Sequence, residues 1–294
     1  MVITQEDGLN GLDGILGMSP ANESQNGPSY MKALVMQGVI DEPVATFWLN
    51  DLRTDEPSYV TLGGTPDGAT RGDTYTLQLY DDQQGSDSWW AVRMKSAKYG
   101  DDEELLASSN GYTILDSGTS LILLAPDDYY TFVDKLQAAQ PAFDCSGTAC
   151  IAKGQRCGSL TASMQSLSFE LGTGSNTKYY TLPPAAYAVS QIDGISQSGY
   201  TYSCEVMVSA MGGFSILGDT FMRHFVTSFN YRTGEIQLAI NTHAPDGVTI
   251  GSAPGVNDSS SSQDNSGWII FAAVLGCVIL AALVVWLVLC LVKR

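Results

Sequence analysis

Positive charge is scarce in this sequence. Only 14 Lys and Arg stand against 31 Asp and Glu, a formal net charge of -17, and histidine occurs twice, at His224 and His243. A surface with that balance repels nucleic acid, and no Lys/Arg cluster offers a track for phosphates. Two histidines without a C-x-x-C pair leave little from which to build a zinc site, and neither a metal nor an organic cofactor is expected. The opening Met1-Val-Ile-Thr-Gln-Glu-Asp has no positive stretch and no apolar core, so it does not read as a secretory signal. No tandem repeat of about 20–50 residues is evident, which argues against solenoids and propellers.

What is present is enough apolar material for a core. Hydrophobic residues make up 44% and charged residues 15% of the 294, which excludes bulk disorder and accommodates one large or two medium domains. Of the six cysteines, Cys145, Cys150, Cys157 and Cys204 lie in the body, and Cys277 and Cys290 in an apolar run near the end. Four body cysteines without metal spacing point to disulfides, with three pairings open. Asn22 and Asn257 head Asn-x-Ser/Thr sequons, candidate glycosylation sites compatible with a lumenal location.

The run Trp268–Val292 is apolar throughout. A helix of its 25 residues spans about 37 Å against about 30 Å of hydrocarbon, so it is expected to be a transmembrane helix. Lys293 and Arg294 follow at once, and no Lys or Arg lies between Arg232 and the run. That asymmetry places a short tail, 293–294, in the cytosol and the body in a lumen or outside the cell. Residues 244–267, rich in Pro, Gly, Asp and Ser, read as a flexible stalk. The folded body is then expected over residues 1–243.

That body reads as mainly β. Short runs with β-branched or aromatic residues predict strands at Tyr59–Leu62, Tyr75–Leu79, Trp89–Met94, Tyr112–Leu115, Ser166–Leu171, Lys178–Leu182, Cys204–Val208 and Glu235–Ile240. Two stretches read as helical, Ser29–Val39 and Pro126–Ala138. The second opens on proline, carries Asp127 and Asp128 in its first turn, and is expected to place Tyr130, Val133 and Leu136 on one face.

The segment that carries chemistry is Tyr112-Thr-Ile-Leu-Asp116-Ser-Gly-Thr-Ser120. An apolar strand delivers one carboxylate into a tight turn. Gly118 allows the backbone to turn and approach a ligand closely. The hydroxyls of Ser117 and Thr119 are placed to orient the carboxylate of Asp116. A bare Asp-Ser-Gly is also a common turn, so the context decides.

In that context the sequence resembles the pepsin-like aspartic proteases. Ile114-Leu115-Asp116-Ser117-Gly118-Thr119-Ser120 is similar to the catalytic turn of the family's second lobe. Phe214-Ser-Ile216-Leu217-Gly218-Asp219 resembles the segment that crosses beneath it, and Asn230–Ile240 the closing hairpin. Leu12-Asp13-Gly14-Ile15-Leu16-Gly17 resembles the equivalent first-lobe element; Leu62-Gly63-Gly64, Trp89–Val92 and Leu182-Pro183-Pro184 fall in family order. The resemblance covers residues 9–241. It implies a bilobal fold: residues 1–95 as the later part of the first lobe with inter-lobe strands, and 96–243 as a complete second lobe.

The resemblance also implies roles. Asp116 is the catalytic residue, supported by Ser117, Gly118 and Thr119, with Ile114, Gly118 and Thr119 against a peptide substrate. Asp13 and Asp219 are structural. Cys157 pairs with Cys204, and Cys145 with Cys150 closes a small loop. The family mechanism needs two aspartates sharing a proton about an activated water, and a second Asp-Thr/Ser-Gly turn is absent from the sequence. The expectation is an internal start, with Met1 a fragment or gene-model start and the missing aspartate upstream. The implied activity is that of a monomeric aspartic endopeptidase of the secretory or endolysosomal pathway or the cell surface. The alternative is an inactive, membrane-tethered module that binds peptides.

Overall fold

A computed structural model describes residues 14–20, 29–51, 54–80, 89–101, 104–105, 111–147, 149–174, 176–196 and 199–252. Asp13, Asn22, Asn257, the run 268–292 and most of the expected stalk lie outside these residues. Among the described residues no helix is long and apolar enough to cross a membrane.

Among the described residues, sixteen strands and four α-helices follow in order. The helix α1 (Tyr30–Met36) precedes β1 (Val44–Trp48), β2 (Tyr59–Leu62), β3 (Thr70–Gln78), β4 (Ala91–Tyr99), β5 (Tyr112–Leu115) and β6 (Ile122–Leu124). After α2 (Pro126–Ala139) come β7 (Cys150–Lys153), β8 (Leu167–Leu171) and β9 (Lys178–Leu182). Then come α3 (Pro184–Tyr187), β10 (Ala188–Ser196), β11 (Gly199–Val206), β12 (Val208–Ala210), β13 (Ser215–Leu217) and α4 (Asp219–Met222). The described part closes with β14 (Phe225–Asn230), β15 (Glu235–Asn241) and β16 (Thr249–Gly251).

The described strands form three sheets. The largest runs β12-β6-β13-β5-β4-β8-β9-β16, a second runs β2-β1-β14-β15-β3, and a third β10-β11-β7. One core joins them, with Phe132, Phe169, Tyr180, Leu217, Phe221 and Phe225 essentially fully buried. The second sheet crosses the boundary expected at residue 95. Its strands β14 and β15 come from the far end of the body yet pair with β1 and β3, Phe47 opposite Thr227 and Leu77 opposite Ile236. Conversely, β4 begins before residue 95 and belongs to the large sheet. Sheet membership depends on which edges meet, and linear order does not carry that.

Several expectations need correction. The strands β1, β6, β7, β10, β12, β13, β14 and β16 were not among the predicted strand runs; β1 is buried at its three central residues, so it shows no alternation. In α2 the buried stripe is Tyr129, Phe132, Val133 and Leu136, and Tyr130 is exposed. Positions 129, 132, 133 and 136 follow the i, i+3, i+4, i+7 pattern of one helix face, from which residue 130 is turned away. The stalk does not begin at Ala244. Ala244 and Val248 are buried, and β16 pairs with β9, Ile250 opposite Tyr180. Pro and Gly there shape turns of the folded body.

Two disulfides staple the region that carries the third sheet. Cys145 is joined to Cys150 and Cys157 to Cys204. The second closes a separation of 47 residues, which restrains the unfolded chain by about 4 kcal/mol on loop-entropy grounds.

Candidate active site

Asp116 stands at the end of β5, where the strand runs into its turn. The backbone before it is fixed on both sides: β5 pairs antiparallel with β4 and parallel with β13, Ile114 opposite Ile216 and Leu115 opposite Leu217. The Asp116 amide donates to the carbonyl of Leu217 at 3.3 Å, and Leu115 donates to Trp90 at 2.9 Å. Thr113, Ile114 and Leu115 are buried, Asp116 is half-buried, and Ser117 and Gly118 are exposed. The strand therefore carries its carboxylate from the core to the surface in one step.

Both carboxylate oxygens are engaged. The Gly118 amide donates to Oδ1 at 2.9 Å and the Thr119 hydroxyl donates to Oδ2 at 2.7 Å. One donor per oxygen fixes the plane of the carboxylate. Ser117, expected to help hold it, supplies neither bond. A Cβ on Gly118 would lie 3.2 Å from Oδ1, so a larger residue there would crowd the carboxylate.

The turn rests on a crossing that sequence reading placed in the family frame but could not locate. Gly218 passes directly beneath it. A Cβ at Gly218 would lie 2.1 Å from the Thr119 carbonyl and 2.5 Å from that of Leu121. Its φ is -87°, so the requirement is space and not backbone conformation. Beyond it, the amides of Asp219 and Thr220 donate to the carbonyls of Thr119 and Ser120 at 2.7 and 3.1 Å, and the Thr220 hydroxyl donates to Ser120 at 2.8 Å. Composition alone could not have singled out Gly218 among 30 glycines; the Ile-Leu-Gly-Asp pattern was the signal.

Asp219 opens α4 and pairs with Arg223 one turn on, at 3.6 Å. Burial pushes its carboxyl above the usual carboxylate range, Arg223 pulls it back, and the charge of Asp116 adds to the rise. Its Oδ1 atom is buried and unpartnered within the described residues. Asp219 thus senses the site from the flank while its neighbours carry the turn.

Asp116, Ser117 and Gly118 line a cleft of about 540 Å³, together with Ile114, Ile15, Leu16, Trp89, Trp90, Phe47 and Phe229. Its wall is braced: Trp90 stacks on Phe229 with ring centres 4.8 Å apart and donates its indole N–H to the Met18 carbonyl at 2.7 Å. The aromatic share of this wall was not anticipated, because Phe47 and Phe229 reach the cleft only through the pairing of β1 with β14. Thr119 lies behind the carboxylate and is not among the cleft residues. Among the described residues no group of His, Cys, Asp and Glu is arranged to hold a metal. One carboxylate, oriented by two donors and set in an apolar, aromatic cleft, is a group able to accept a proton from a bound water.

The chain is similar to known proteins. The chain is 30% identical over 243 residues to vacuolar protease A of Arthroderma otae, covering 80% of this chain and 54% of that protein. It is 28% identical over 230 residues to rhizopuspepsin-1 of Rhizopus niveus, covering 78% and 52%. It therefore spans about half the length of the curated relatives it matches. The crystal structure of an aspartic proteinase from Irpex lacteus superposes with a TM-score of 0.66 at 19% identity, over 84% of this chain and 73% of that one. That likeness establishes a mainly β, pepsin-like fold. The family model described as eukaryotic aspartyl protease matches residues 3–241, and the chain belongs to that family.

Proposed function

We propose that this chain contributes one half of an aspartic endopeptidase active site, with Asp116 as one of two catalytic carboxylates and its partner outside these 294 residues. The observation that carries the reading is the double anchoring of the Asp116 carboxylate by Gly118 and Thr119 at the wall of an apolar cleft. Two carboxylates sharing a site cannot both ionise readily, so the pair holds one proton between them. The charged member takes a proton from a bound water; the neutral member donates to the scissile carbonyl oxygen. The water oxygen bonds to the carbonyl carbon, and the tetrahedral species collapses with protonation of the departing amine. No covalent enzyme intermediate forms.

The cleft accepts an extended peptide with bulky apolar side chains, and Ile114 offers a contact for one of them. The apolar run 268–292 serves as a single-pass anchor, with the body lumenal or extracellular. Two of the similar fungal proteins are named vacuolar proteases, which supports an endolysosomal setting.

The test is cleavage of an unbiased peptide library at pH 3–6, by this chain and by the chain carrying its in-frame upstream coding sequence. Activity in the longer product, lost by at least about 10³-fold in Asp116→Asn, is the expected result. A longer product that is folded but inert overturns the reading and leaves a tethered peptide-binding module.

A further inference from the structure

The hairpin β10–β11 carries a surface that catalysis does not use. β7 pairs with β11 only from Ser203 to Val206, so residues 191–196 and 199–202 pair as a two-stranded ribbon with, among the described residues, no third strand beside it. Cross-strand partners lie on one face of a ribbon. Here Ile192 pairs with Tyr202 and Ile195 with Tyr200. The two isoleucines are an odd three residues apart, which in regular pleating would put them on opposite faces. The bulge at Asp193 takes up the extra residue and turns Ile195 to the side of Ile192. The result is one apolar face of Ile192, Ile195, Tyr200 and Tyr202.

That face is open to solvent. Ile192, Ile195 and Tyr200 are 63%, 79% and 60% exposed. The opposite side is polar, with Gln191 and Thr201 exposed and the Ser203 hydroxyl donating to Asp193 at 2.7 Å. At the base the Arg156 guanidinium stacks on the Tyr202 ring, 3.7 Å from its centre. A lone ribbon is marginal in water. A ribbon that turns its apolar side outward, with a bulge aligning that side, is built to be covered.

We propose that this face lies on the lipid surface of the membrane to which the chain is tethered, with the two isoleucines at the acyl boundary and the tyrosine hydroxyls among the headgroups. The inference rests on the reading of 268–292 as the anchor. Ser252, the last described residue, is followed by residues 253–267 before Trp268. Fifteen residues reach at most about 50 Å even when fully extended. The bilayer is then always at hand, and a small apolar face, far too weak to bind alone, suffices as a second contact. Tyrosine at the rim suits an interface where one end of the ring is apolar and the other wet. An anionic membrane surface would be a poor match for a net charge of -17, so the surface in question is zwitterionic.

The test uses the full chain in phosphatidylcholine vesicles containing a phosphatidylcholine with a diazirine near the top of its acyl chain. Photolabel is mapped to peptides. Label within 188–206 as well as within 268–292 is expected, and Ile192→Asp with Ile195→Asp should lower the first at least fivefold and leave the second unchanged. Both positions are exposed, so the double variant keeps its fold; an unchanged melting temperature checks this. Ile195→Leu, which keeps the apolar face, should retain the label. Label in 268–292 without label in 188–206 overturns the hairpin proposal and leaves the anchor reading intact. Absence of label in 268–292 overturns the anchor reading, and this proposal with it. Crosslinked dimers through 188–206 in place of lipid adducts would assign the face to a second copy and overturn it too.

Discussion

Ile15-Leu16-Gly17 and Ile216-Leu217-Gly218 are the same three residues at two places in the chain, and their fates differ. Ile216 and Leu217 are 6% and 0% exposed and form a strand between β5 and β6. Ile15 and Leu16 are 81% and 60% exposed and lie in no strand. The glycines divide the same way: nothing lies within 4 Å of a Cβ built on Gly17, whereas one on Gly218 meets the Thr119 carbonyl at 2.1 Å. The difference teaches that this apolar triplet does not specify a strand by itself. It becomes one where a strand on each side takes its backbone hydrogen bonds, and in doing so it supports the loop that ends in Asp116.

The contrast can be broken most sharply at the glycines. Gly218→Ala drives a methyl into two carbonyls with no flexible atom to yield, and should cost about 3 kcal/mol or more, or abolish folding. Gly17→Ala should leave the melting temperature within error. Thermal and denaturant unfolding of the two variants in parallel give the answer. If both cost the same, the crossing is not what holds the turn.

One step smaller are the leucines. Leu217→Ala removes a fully buried side chain and should lose about 2–5 kcal/mol. Leu16→Ala should fall within about 0.5 kcal/mol, as exposed positions do. Smaller again is Thr119→Val, which keeps shape and removes one charge-assisted hydrogen bond, worth about 1.5–3 kcal/mol when the carboxylate is ionised. Denaturant unfolding of Thr119→Val beside the parent chain reads that loss directly.

The smallest effect sharpens the comparison from the flank. Asp219 has its carboxyl raised by burial, an acid held more tightly protonated in the folded than in the unfolded chain. The folded state then binds more protons between the two values, so this group's contribution to stability grows as pH falls through the raised folded value and levels off below the unfolded one. Asp219→Asn should flatten the stability–pH curve in that window. Asp144 works in the opposite sense, lowered by hydrogen bonds from Ser146, so its contribution is lost as the solution becomes acid. An unchanged curve in Asp219→Asn would show that Arg223 fully offsets the burial.

Much of the site was legible in the residues, and the illegible part has physical causes. Tyr112–Leu115 announces itself as a short apolar strand ending in an acid and a tight turn, and the strand has those bounds. The holder of the carboxylate was less legible. Ser117 and Thr119 carry equivalent hydroxyls on paper, yet only Thr119 points back at Asp116, because turn geometry and not composition selects between them. Tyr130 was misread because its i, i+3, i+6 row drifts off the buried stripe. The ribbon beyond Ser190 was missed as a strand pair because its apolar alternation is interrupted by the bulge at Asp193.

The sequence by itself determined the family, the mainly β character of the body, and the strand and small-residue turn in which Asp116 sits. Those are local facts, written in the order of a strand, a turn and an Ile-Leu-Gly-Asp motif. Tertiary structure decided what lies beneath and beside them: that Gly218 passes under Thr119, that β14 and β15 join strands from the other end of the body, and that one Ile-Leu-Gly is core and the other surface. These depend on which backbone edges meet and how close two segments come, and no residue carries that information alone. A buried glycine and an exposed one read identically until a carbonyl stands 2.1 Å from where one of them would put a methyl.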